Sequence, residues 1–446
     1  DGTTSSVILT GELLKKAVDL IEANVHPTII AAGYRMANEK SQEILKEIAM
    51  KVTIKDEEVL KKVAEVAMIS KQVSGSKEFF ADLVVDAVKT VAEKKDDGKY
   101  KIDLSNIQTV KKAGARMDET KLYKGLVIDK EPVQPSMPKK VKNAKIALID
   151  AAFEVKKTEV DAKIQITDPG QIAGFVAEEE NMLRRMVASV KNAGANVVFC
   201  QKGIDDAAQH MFAKEGIYAC RRVKKSDMDR LSRSTGATLV NKIQDITAED
   251  LGDAGFVELK KVENEEMTFI TDVRDPKTVS VLVRGGTTHV ADEVERSLID
   301  AWSAVRVAIE DGLIECGGGS KEMEIAMRLR DYASSVGGRA QIALEAYASA
   351  MEIIPSTLAE NAGLDPIDIL IEMRKQHKEG KITAGVNPFS GKVEDMFALN
   401  VVEPYRVGKQ AINAATDTAV MILRIDDVIA SSSTQQMDMP DMDDMD

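Results

Sequence analysis

Aromatic residues and cysteine are scarce in this chain of 446 residues. Aromatic side chains make up 4% of it, with a single Trp, and there are three cysteines. Hydrophobic cores must therefore be built mainly from Val, Ile, Leu, Ala and Met. The cysteines are far apart and form no CxxC spacing, which argues against a disulfide framework or a zinc site and favours a reducing, cytoplasmic location. Cys200 ends the apolar run ANVVFC and is interpreted as a small buried hydrophobe rather than a nucleophile.

Long apolar runs, an excess of basic charge and clustered histidines are also missing. No stretch approaches the roughly 20 apolar residues that a membrane-crossing helix needs, and nothing at the start resembles a signal peptide. Acidic residues outnumber basic ones by 73 to 60, giving a net charge of −13, which disfavours nonspecific binding to nucleic acid. The histidines match no metal-binding spacing and are interpreted as structural or surface groups. The sequence thus predicts neither a nucleic-acid partner nor a membrane partner.

What the sequence does contain is a change of pattern along the chain. Apolar residues at helical spacing predict helices within 11–51, 56–68 and 78–94, and a strand can follow over 101–110. From about residue 126, short apolar runs alternate with helical patterns. The predicted strands are 145–150, 162–167, 195–200, 216–221 and 279–284, and the predicted helices between them are 169–192, 205–214 and 226–235. Long helices return at 287–311, 321–334, 339–353, 365–378 and 405–423. The pattern predicts a multidomain α + α/β protein, with the α/β unit inserted into a helical domain.

The chain opens with DGTTSS, a turn that leads into an amphipathic helix. A helix N-terminus attracts anions through its N–H groups and its dipole. Gly2 allows close backbone approach, and Asp1 can hold Mg²⁺ through oxygen. Hydroxyl groups are available at Thr3, Thr4 and Ser5. The alternative is an ordinary helix start with Asp or Thr as the N-cap, which the hexapeptide alone favours. It is not a Walker A loop, because no Gly-Lys-Ser/Thr follows at the required spacing.

Two later features also have more than one interpretation. Gly317, Gly318 and Gly319 permit close approach of the backbone to a ligand, but a flexible connection between two helices is at least as good an explanation. Asp300 falls off the apolar stripe of its predicted helix, which indicates a solvated surface acid. Nothing local marks Asp300 as catalytic.

The predicted helix 169–192 carries an apolar cluster near its start, formed by Ile172, Phe175 and Val176. A core-facing stripe would explain the cluster. An exposed apolar tip that contacts a partner protein would explain it equally well. The residues alone do not separate these two interpretations.

Seven stretches of the sequence, in register, resemble the group II chaperonins, which comprise the archaeal thermosome subunits and their eukaryotic cytosolic relatives. The stretches are DGTTSSVILTGELLKKA, NAKIALID, GANVVFCQKGIDDAAQH, RRVKKSDM, GDAGFVE, TLAENAGLDPIDIL and VMILRIDDVIA. The resemblance covers the chain to about residue 430. It implies an ATP-dependent molecular chaperone that binds non-native polypeptides and encapsulates them in a double ring of identical or homologous subunits.

The resemblance also implies a chaperonin fold with three domains. A helical equatorial domain comes from both chain ends, a small intermediate domain follows it, and an apical α/β domain with a helical lid protrusion is inserted. The implied segments are 1–54 equatorial, 55–124 intermediate, 125–285 apical with the protrusion at about 168–192, 286–317 intermediate, 318–431 equatorial and 432–446 a disordered tail. Hinge glycines are expected near Gly125 and at Gly285 and Gly286.

A site for ATP and Mg²⁺ follows from the same resemblance. The implied ATP-binding residues are Gly2, Thr3, Thr4, Ser5, Lys71, Gly317, Gly318 and Glu403, and the implied Mg²⁺ ligand is Asp1. Within this set, Lys71 senses the γ-phosphate and Glu403 meets the ribose. Asp300 is implied as the catalytic acid, which a moving intermediate domain brings to the attacking water. The resemblance favours the lid interpretation for Ile172, Phe175 and Val176.

Members of this family carry a segment ahead of the opening turn, with a Gly-Pro phosphate loop and a second water-positioning Asp in an Asn-Asp-Gly context. Neither motif occurs in the 446 residues, so the resemblance predicts an N-terminally truncated chaperonin with little or no ATPase activity of its own. Two main hypotheses follow: an ATP-driven folding machine, or a passive module that binds unfolded protein. A third, weaker hypothesis is a structural ring or filament protein in which nucleotide regulates assembly.

Overall fold

The computed structural model describes residues 2–69, 71–96, 98–155, 169–262, 265–273 and 278–425. The helices in this part of the chain are α1 (Thr3–Glu22), α2 (Pro27–Ile48), α3 (Glu57–Met68), α4 (Lys77–Val91), α5 (Pro169–Asn192), α6 (Asp206–Lys214), α7 (Lys225–Thr235), α8 (Thr288–Asp311), α9 (Ser320–Val336), α10 (Gly338–Met351), α11 (Ile353–Asn361), α12 (Pro366–Lys378) and α13 (Tyr405–Leu423). The strands are β1 (Met50–Lys51), β2 (Ala92–Lys94), β3 (Tyr100–Ile102), β4 (Ile107–Ala113), β5 (Lys121–Ile128), β6 (Lys140–Ile149), β7 (Val197–Cys200), β8 (Tyr218–Cys220), β9 (Leu239–Val240), β10 (Gly252–Val262), β11 (Glu265–Thr271), β12 (Val279–Gly285), β13 (Leu313–Cys316), β14 (Ala384–Asn387), β15 (Lys392–Asp395) and β16 (Val402–Pro404).

These elements form two compact units. The first unit comprises residues 1–49, 315–399 and 405–446, and the second comprises residues 50–314 and 400–404. The chain therefore leaves the first unit after residue 49 and returns to it at residue 315. Among the described residues, no helix is both long enough and apolar enough to cross a membrane.

The first unit is a helical assembly with two aromatic residues, Tyr34 and Tyr347, in its core. Tyr34 on α2 and Tyr347 on α10 are fully buried, and their rings meet edge to face with centroids 5.5 Å apart. Each hydroxyl has a partner, as a buried phenol requires: Tyr34 donates to the Leu13 carbonyl on α1 at 2.8 Å, and Tyr347 bonds Thr416 on α13 at 2.7 Å. Two aromatic residues thus connect α1, α2, α10 and α13.

A mixed sheet forms the centre of the second unit, in the order β4-β12-β5-β11-β10-β6-β7-β8, with β9 also paired to β6. Strands β6, β7, β8 and β9 are parallel, whereas β5, β11, β10 and β6 pair antiparallel. Helices α5 and α6 pack on one face of the parallel part, and α7 packs on the other. Coverage of both faces explains why β7, Val197–Cys200, is apolar and buried throughout.

Helices α3, α4 and α8 pack together in the second unit. The apolar stripe predicted for α8 is Val290, Val294, Leu298, Ala301, Trp302 and Val305. All of these residues are buried except Val290, which is half-buried. A short 3₁₀ helix, Gln72–Ser76, follows α3 and also contacts α8.

The sequence predicted the long helices well. The strands predicted at 145–150, 195–200, 216–221 and 279–284 correspond to β6, β7, β8 and β12, whereas strands such as β5, β10 and β11 were missed. Predicted and observed bounds agree for 169–192 and 405–423, and they lie within two residues for α3, α7, α8 and α12. The first helix starts at Thr3 rather than near residue 11, and α11 was missed. A 3₁₀ turn at Leu104–Asn106 interrupts the strand predicted at 101–110. The strand predicted at 162–167 lies outside the described residues.

The three cysteines are free and buried, as the sequence indicated. Burial raises the pKa of the Cys200 thiol to about 12. A thiol with so high a pKa carries almost no thiolate at neutral pH, so it is a poor nucleophile. The interpretation of Cys200 as a small buried hydrophobe is confirmed.

Replacing Gly125 with Ala is expected to destabilise the second unit. Gly125 lies on β5 with φ +141°, and a Cβ there would lie 2.1 Å from the Ile270 carbonyl oxygen on β11. Strain at such a position costs about 1–3 kcal/mol. Chemical denaturation should show a lower midpoint for Gly125→Ala. Gly286→Ala is the control, because its Cβ would meet nothing within 4 Å, and an equal loss there would contradict the explanation.

Candidate functional site

The start of α1 has the local structure of an anion-binding helix end. Its N-cap is Gly2, in the left-handed conformation with φ 78°, a residue that has no side chain with which to cap the helix. The expectation of an ordinary start, with Asp or Thr as N-cap, is therefore wrong. The first turn contains no acidic residue, and the N–H groups and the positive end of the dipole at a helix N-terminus attract anions. Thr3 and Thr4 are exposed and Ser5 is half-buried; Asp1 lies outside the described residues.

The glycine loop between β13 and α9 is tightly packed rather than a flexible connection. Gly318 and Gly319 have φ +65° and +77°, which favours glycine. A Cβ on Gly318 would lie 2.4 Å from the Met396 sulfur, and one on Gly319 would lie 2.7 Å from Pro355. The Val386 N–H donates to the Gly318 carbonyl at 2.9 Å. Met396 therefore excludes a side chain at position 318, and Pro355 excludes one at position 319.

The opening turn and the residues before the glycine loop contact the same end of α13. A Cβ built on Gly2 would lie 3.2 Å from Val407 and 3.5 Å from Ala411. Glu315, near the end of β13, lies against Gly408, where a Cβ would be 2.1 Å from the carboxylate. The first unit therefore brings together, around the first two turns of α13, two segments that are more than 300 positions apart in sequence.

In the second unit, Lys71 and Asp300 form an ion pair. Lys71 follows α3, and Asp300 projects from α8, which packs against α3. The Asp300 side chain is 53% exposed, so its assignment to the solvated face of the helix is confirmed. Exposed ion pairs contribute only about 0.2–1 kcal/mol to stability. Stability alone is therefore a weak reason for this pairing, whereas an ammonium group and a carboxylate side by side are suited to a phosphate and a water molecule.

The remaining predicted residues are distributed as follows. Glu403 is half-buried in β16, which packs against α3 and α8. The backbone of Ile172, Phe175 and Val176 belongs to α5, but their side chains lie outside the described residues. Farther along α5, residues 177–182 are exposed, and burial begins at Leu183. The described part of α5 is therefore exposed in its first half and packed in its second.

The sequence analysis did not identify three buried charged residues at the glycine loop. Glu315, Lys321 and Glu322 have exposed fractions of 2%, 6% and 5%. Charged residues are rarely this buried unless they are paired. Their positions on both sides of GGG in ECGGGSKE could have indicated a role at the loop, because residues that flank a functional loop often fix its conformation.

Comparison with known proteins agrees with this architecture. The family model of the TCP-1/cpn60 chaperonin family matches residues 1–433. A thermosome subunit of Methanopyrus kandleri is 56% identical over 431 residues, which cover 97% of this chain and 79% of that protein. Thermosome subunit alpha of Archaeoglobus fulgidus is 54% identical over 441 residues, covering 99% and 81%. The open-state monomer of a group II chaperonin from Methanococcoides burtonii superposes with a TM-score of 0.75 at 47% identity, covering 95% of this chain and all of that chain.

The chain belongs to the TCP-1/cpn60 chaperonin family. Its thermosome relatives and its structural neighbour place it among the group II chaperonins, which makes it an ATP-dependent molecular chaperone. The resemblance inferred from the seven sequence stretches is confirmed, as is the multidomain chaperonin fold. The comparisons give no support to the passive binding module.

Proposed function

We propose that, in contrast to the little or no ATPase activity expected from the missing Gly-Pro and Asn-Asp-Gly motifs, this protein binds and hydrolyses ATP and uses that cycle to fold non-native polypeptides. The observation that carries the proposal is that two distant segments contact the same end of α13. One is the helix N-terminus at Gly2, and the other is Glu315, which lies just before the glycine loop Gly317–Gly319. Helix N-termini and glycine loops are the backbone features that proteins use to approach phosphate groups.

Each segment has a proposed role toward ATP. The N–H groups and hydroxyls of Thr3, Thr4 and Ser5 bind the phosphates, and Gly317 and Gly318 lie beside the nucleoside. Glu403 bonds the ribose. The carboxylate of Asp1 would hold Mg²⁺, an ion that neutralises phosphate charge when it is bound.

The ion pair in the second unit has the proposed catalytic role. Phosphoryl transfer needs positioning and charge rather than covalent help from the protein. The ammonium group of Lys71 contacts the γ-phosphate. The Asp300 carboxylate orients the attacking water and accepts a hydrogen bond from it. Their ion pair holds the ammonium group of Lys71 next to the carboxylate of Asp300 on α8.

The proposed assembly follows the relatives. The matched proteins of Methanopyrus kandleri and Archaeoglobus fulgidus are named as thermosome subunits, so this chain is proposed to act as one subunit of a double ring in the cytoplasm. Its polypeptide clients would meet the exposed residues 177–182 of α5, and Ile172, Phe175 and Val176 are proposed as further lid contacts. The implied equatorial, intermediate and apical segments are part of the same proposal.

Replacing Gly2 with Ala is expected to weaken nucleotide binding by about tenfold or more. The reason is that a side chain at φ +78° strains the backbone, and its Cβ, 3.2 Å from Val407, is tightly placed against α13. Gly11→Ala on the same helix is the matched control, because its Cβ would meet nothing within 4 Å. Titration calorimetry with Mg·ADP measures the nucleotide affinity of both variants and of the parent protein. Equal affinities for Gly2→Ala and the parent protein would contradict the proposed phosphate site.

A further inference from the structure

A buried ion pair connects the two ends of the glycine loop. Glu315 lies two residues before Gly317, and Lys321 lies two residues after Gly319. The Lys321 ammonium is 2.6 Å from a Glu315 carboxylate oxygen and 3.9 Å from Glu322. The side chains of Lys321 and Glu315 are 7% and 1% exposed. The pair therefore spans the loop from inside the protein.

Charges this deeply buried require a reason other than stability. Moving two charged groups out of water costs more than their attraction returns in many proteins, and apolar residues of similar volume often pack as well or better. A buried pair does, however, fix the relative positions of the atoms that it joins. Here those atoms belong to the last residues of β13 and the first turn of α9, and the loop is the chain between them.

Two further contacts fix this arrangement in the first unit. Glu315 fits against α13 only because residue 408 is glycine, since a Cβ there would lie 2.1 Å from the carboxylate. Ser320 closes the loop from the other side, donating its N–H and its hydroxyl to the Gly317 carbonyl at 3.2 and 2.9 Å. The loop is therefore held at both ends and against the helix that also contacts Gly2.

We propose that Glu315 and Lys321 are positioning residues for nucleotide binding. They act through the loop, holding Gly317 and Gly318 in the conformation that receives the nucleoside, and they do not themselves touch it. This inference rests on the proposed function, because it names residues that prepare the same site.

The test uses the double variant Glu315→Gln/Lys321→Met in the full-length protein. Each single variant leaves a buried charge uncompensated and can fail to fold, whereas the double variant removes both charges and keeps the side-chain volumes. Hydrogen exchange of the peptide covering 315–321, measured without nucleotide, is expected to be several-fold faster than in the parent. The KM for ATP is expected to rise about tenfold, and kcat is expected to change less than about twofold. This combination indicates that binding is weakened equally in the ground state and in the transition state.

The control is Glu352→Gln, which disrupts another buried ion pair of the first unit, at Arg330 and Arg374. Its KM for ATP should stay at the parent value. A folded double variant with unchanged exchange would overturn the inference, and so would faster exchange with an unchanged KM. A parent protein with no saturable dependence on ATP would instead overturn the proposed function, whatever the exchange rates.

Discussion

Replacing Asp300 with Asn is expected to reduce ATP turnover by about a hundredfold or more, equivalent to about 2.7 kcal/mol in the barrier. Asn keeps the size of the side chain but cannot accept a proton or hold a water molecule with a full negative charge. Because Asp300 lies on the exposed face of α8, the substitution leaves the packing of the helix intact. Nucleotide affinity should therefore be retained while kcat falls. Steady-state phosphate release and titration with Mg·ADP measure the two quantities separately.

Asp292 offers a closely matched control for this prediction. It is also an Asp on α8, its side chain is 44% exposed, and it also pairs with a lysine, Lys111, at 2.7 Å. If the loss of any exposed ion pair on this helix slowed turnover, Asp292→Asn would do so too. We expect Asp292→Asn to turn over ATP at the parent rate. Similar rates in both variants would remove Asp300 from the proposed mechanism.

Glu352 is expected to make a large contribution to the stability of the first unit. Its carboxylate, 8% exposed, accepts hydrogen bonds from Arg330 on α9 at 2.7 Å and from Arg374 on α12 at 2.5 Å. Glu352→Gln leaves two guanidinium groups without their counter-charge. Since both arginines are partly exposed, we expect a loss of about 2–3 kcal/mol, at the lower end for a broken buried pair. The free energy of unfolding, from chemical denaturation, checks this value.

Lowering the pH should remove the stability that the Glu352 contacts contribute. Burial alone would raise the pKa of Glu352, but the hydrogen bonds from Arg330 and Arg374 outweigh it and hold the pKa below the ordinary 4.5. A carboxyl with a lowered pKa stabilises the folded state fully above its unfolded pKa, and that stabilisation is lost as the pH falls through the folded pKa. The gap between the parent and Glu352→Gln should therefore be widest near neutral pH and narrow below pH 4.5.

An exposed pair provides the reference for both measurements. Lys40 and Glu43 lie 2.7 Å apart on α2, and the Glu43 side chain is 63% exposed. Glu43→Gln should change the unfolding free energy by less than about 0.5 kcal/mol. A loss at Glu43 as large as the loss at Glu352 would mean that burial is not what makes the Glu352 contacts matter.

The features that the sequence predicted well are local ones. The apolar stripe of α8 repeats at helical spacing, so its buried face and the solvated position of Asp300 could be predicted from one segment. The helix predicted at 365–378 is likewise set by neighbouring residues, since Asp365 caps α12 and Pro366 begins it. The opening turn was more difficult, because the hexapeptide suits both a capped helix and an anion site, and only the conformation of Gly2 separates them.

The features that the sequence did not predict depend on distant partners. Glu315 contacts Gly408 only because β13 and α13 are brought together by the fold. Glu352 meets Arg330 and Arg374 on two other helices. Strands β10 and β11 were missed because segments such as ELKKV and EEMTF do not alternate strictly between polar and apolar residues, which gives a weak strand pattern. The sequence can identify such residues as unusual but not name their partners.

The most direct test of the account is ATP-dependent refolding of a chemically denatured reporter enzyme by the full-length protein, beside the Asp300→Asn variant. We expect the parent protein to restore reporter activity only when ATP and Mg²⁺ are present. The variant should bind the denatured reporter and prevent its aggregation without restoring its activity. If the parent suppressed aggregation equally with and without ATP and never restored activity, the protein would be a passive binder, and the ATP-driven account would be wrong.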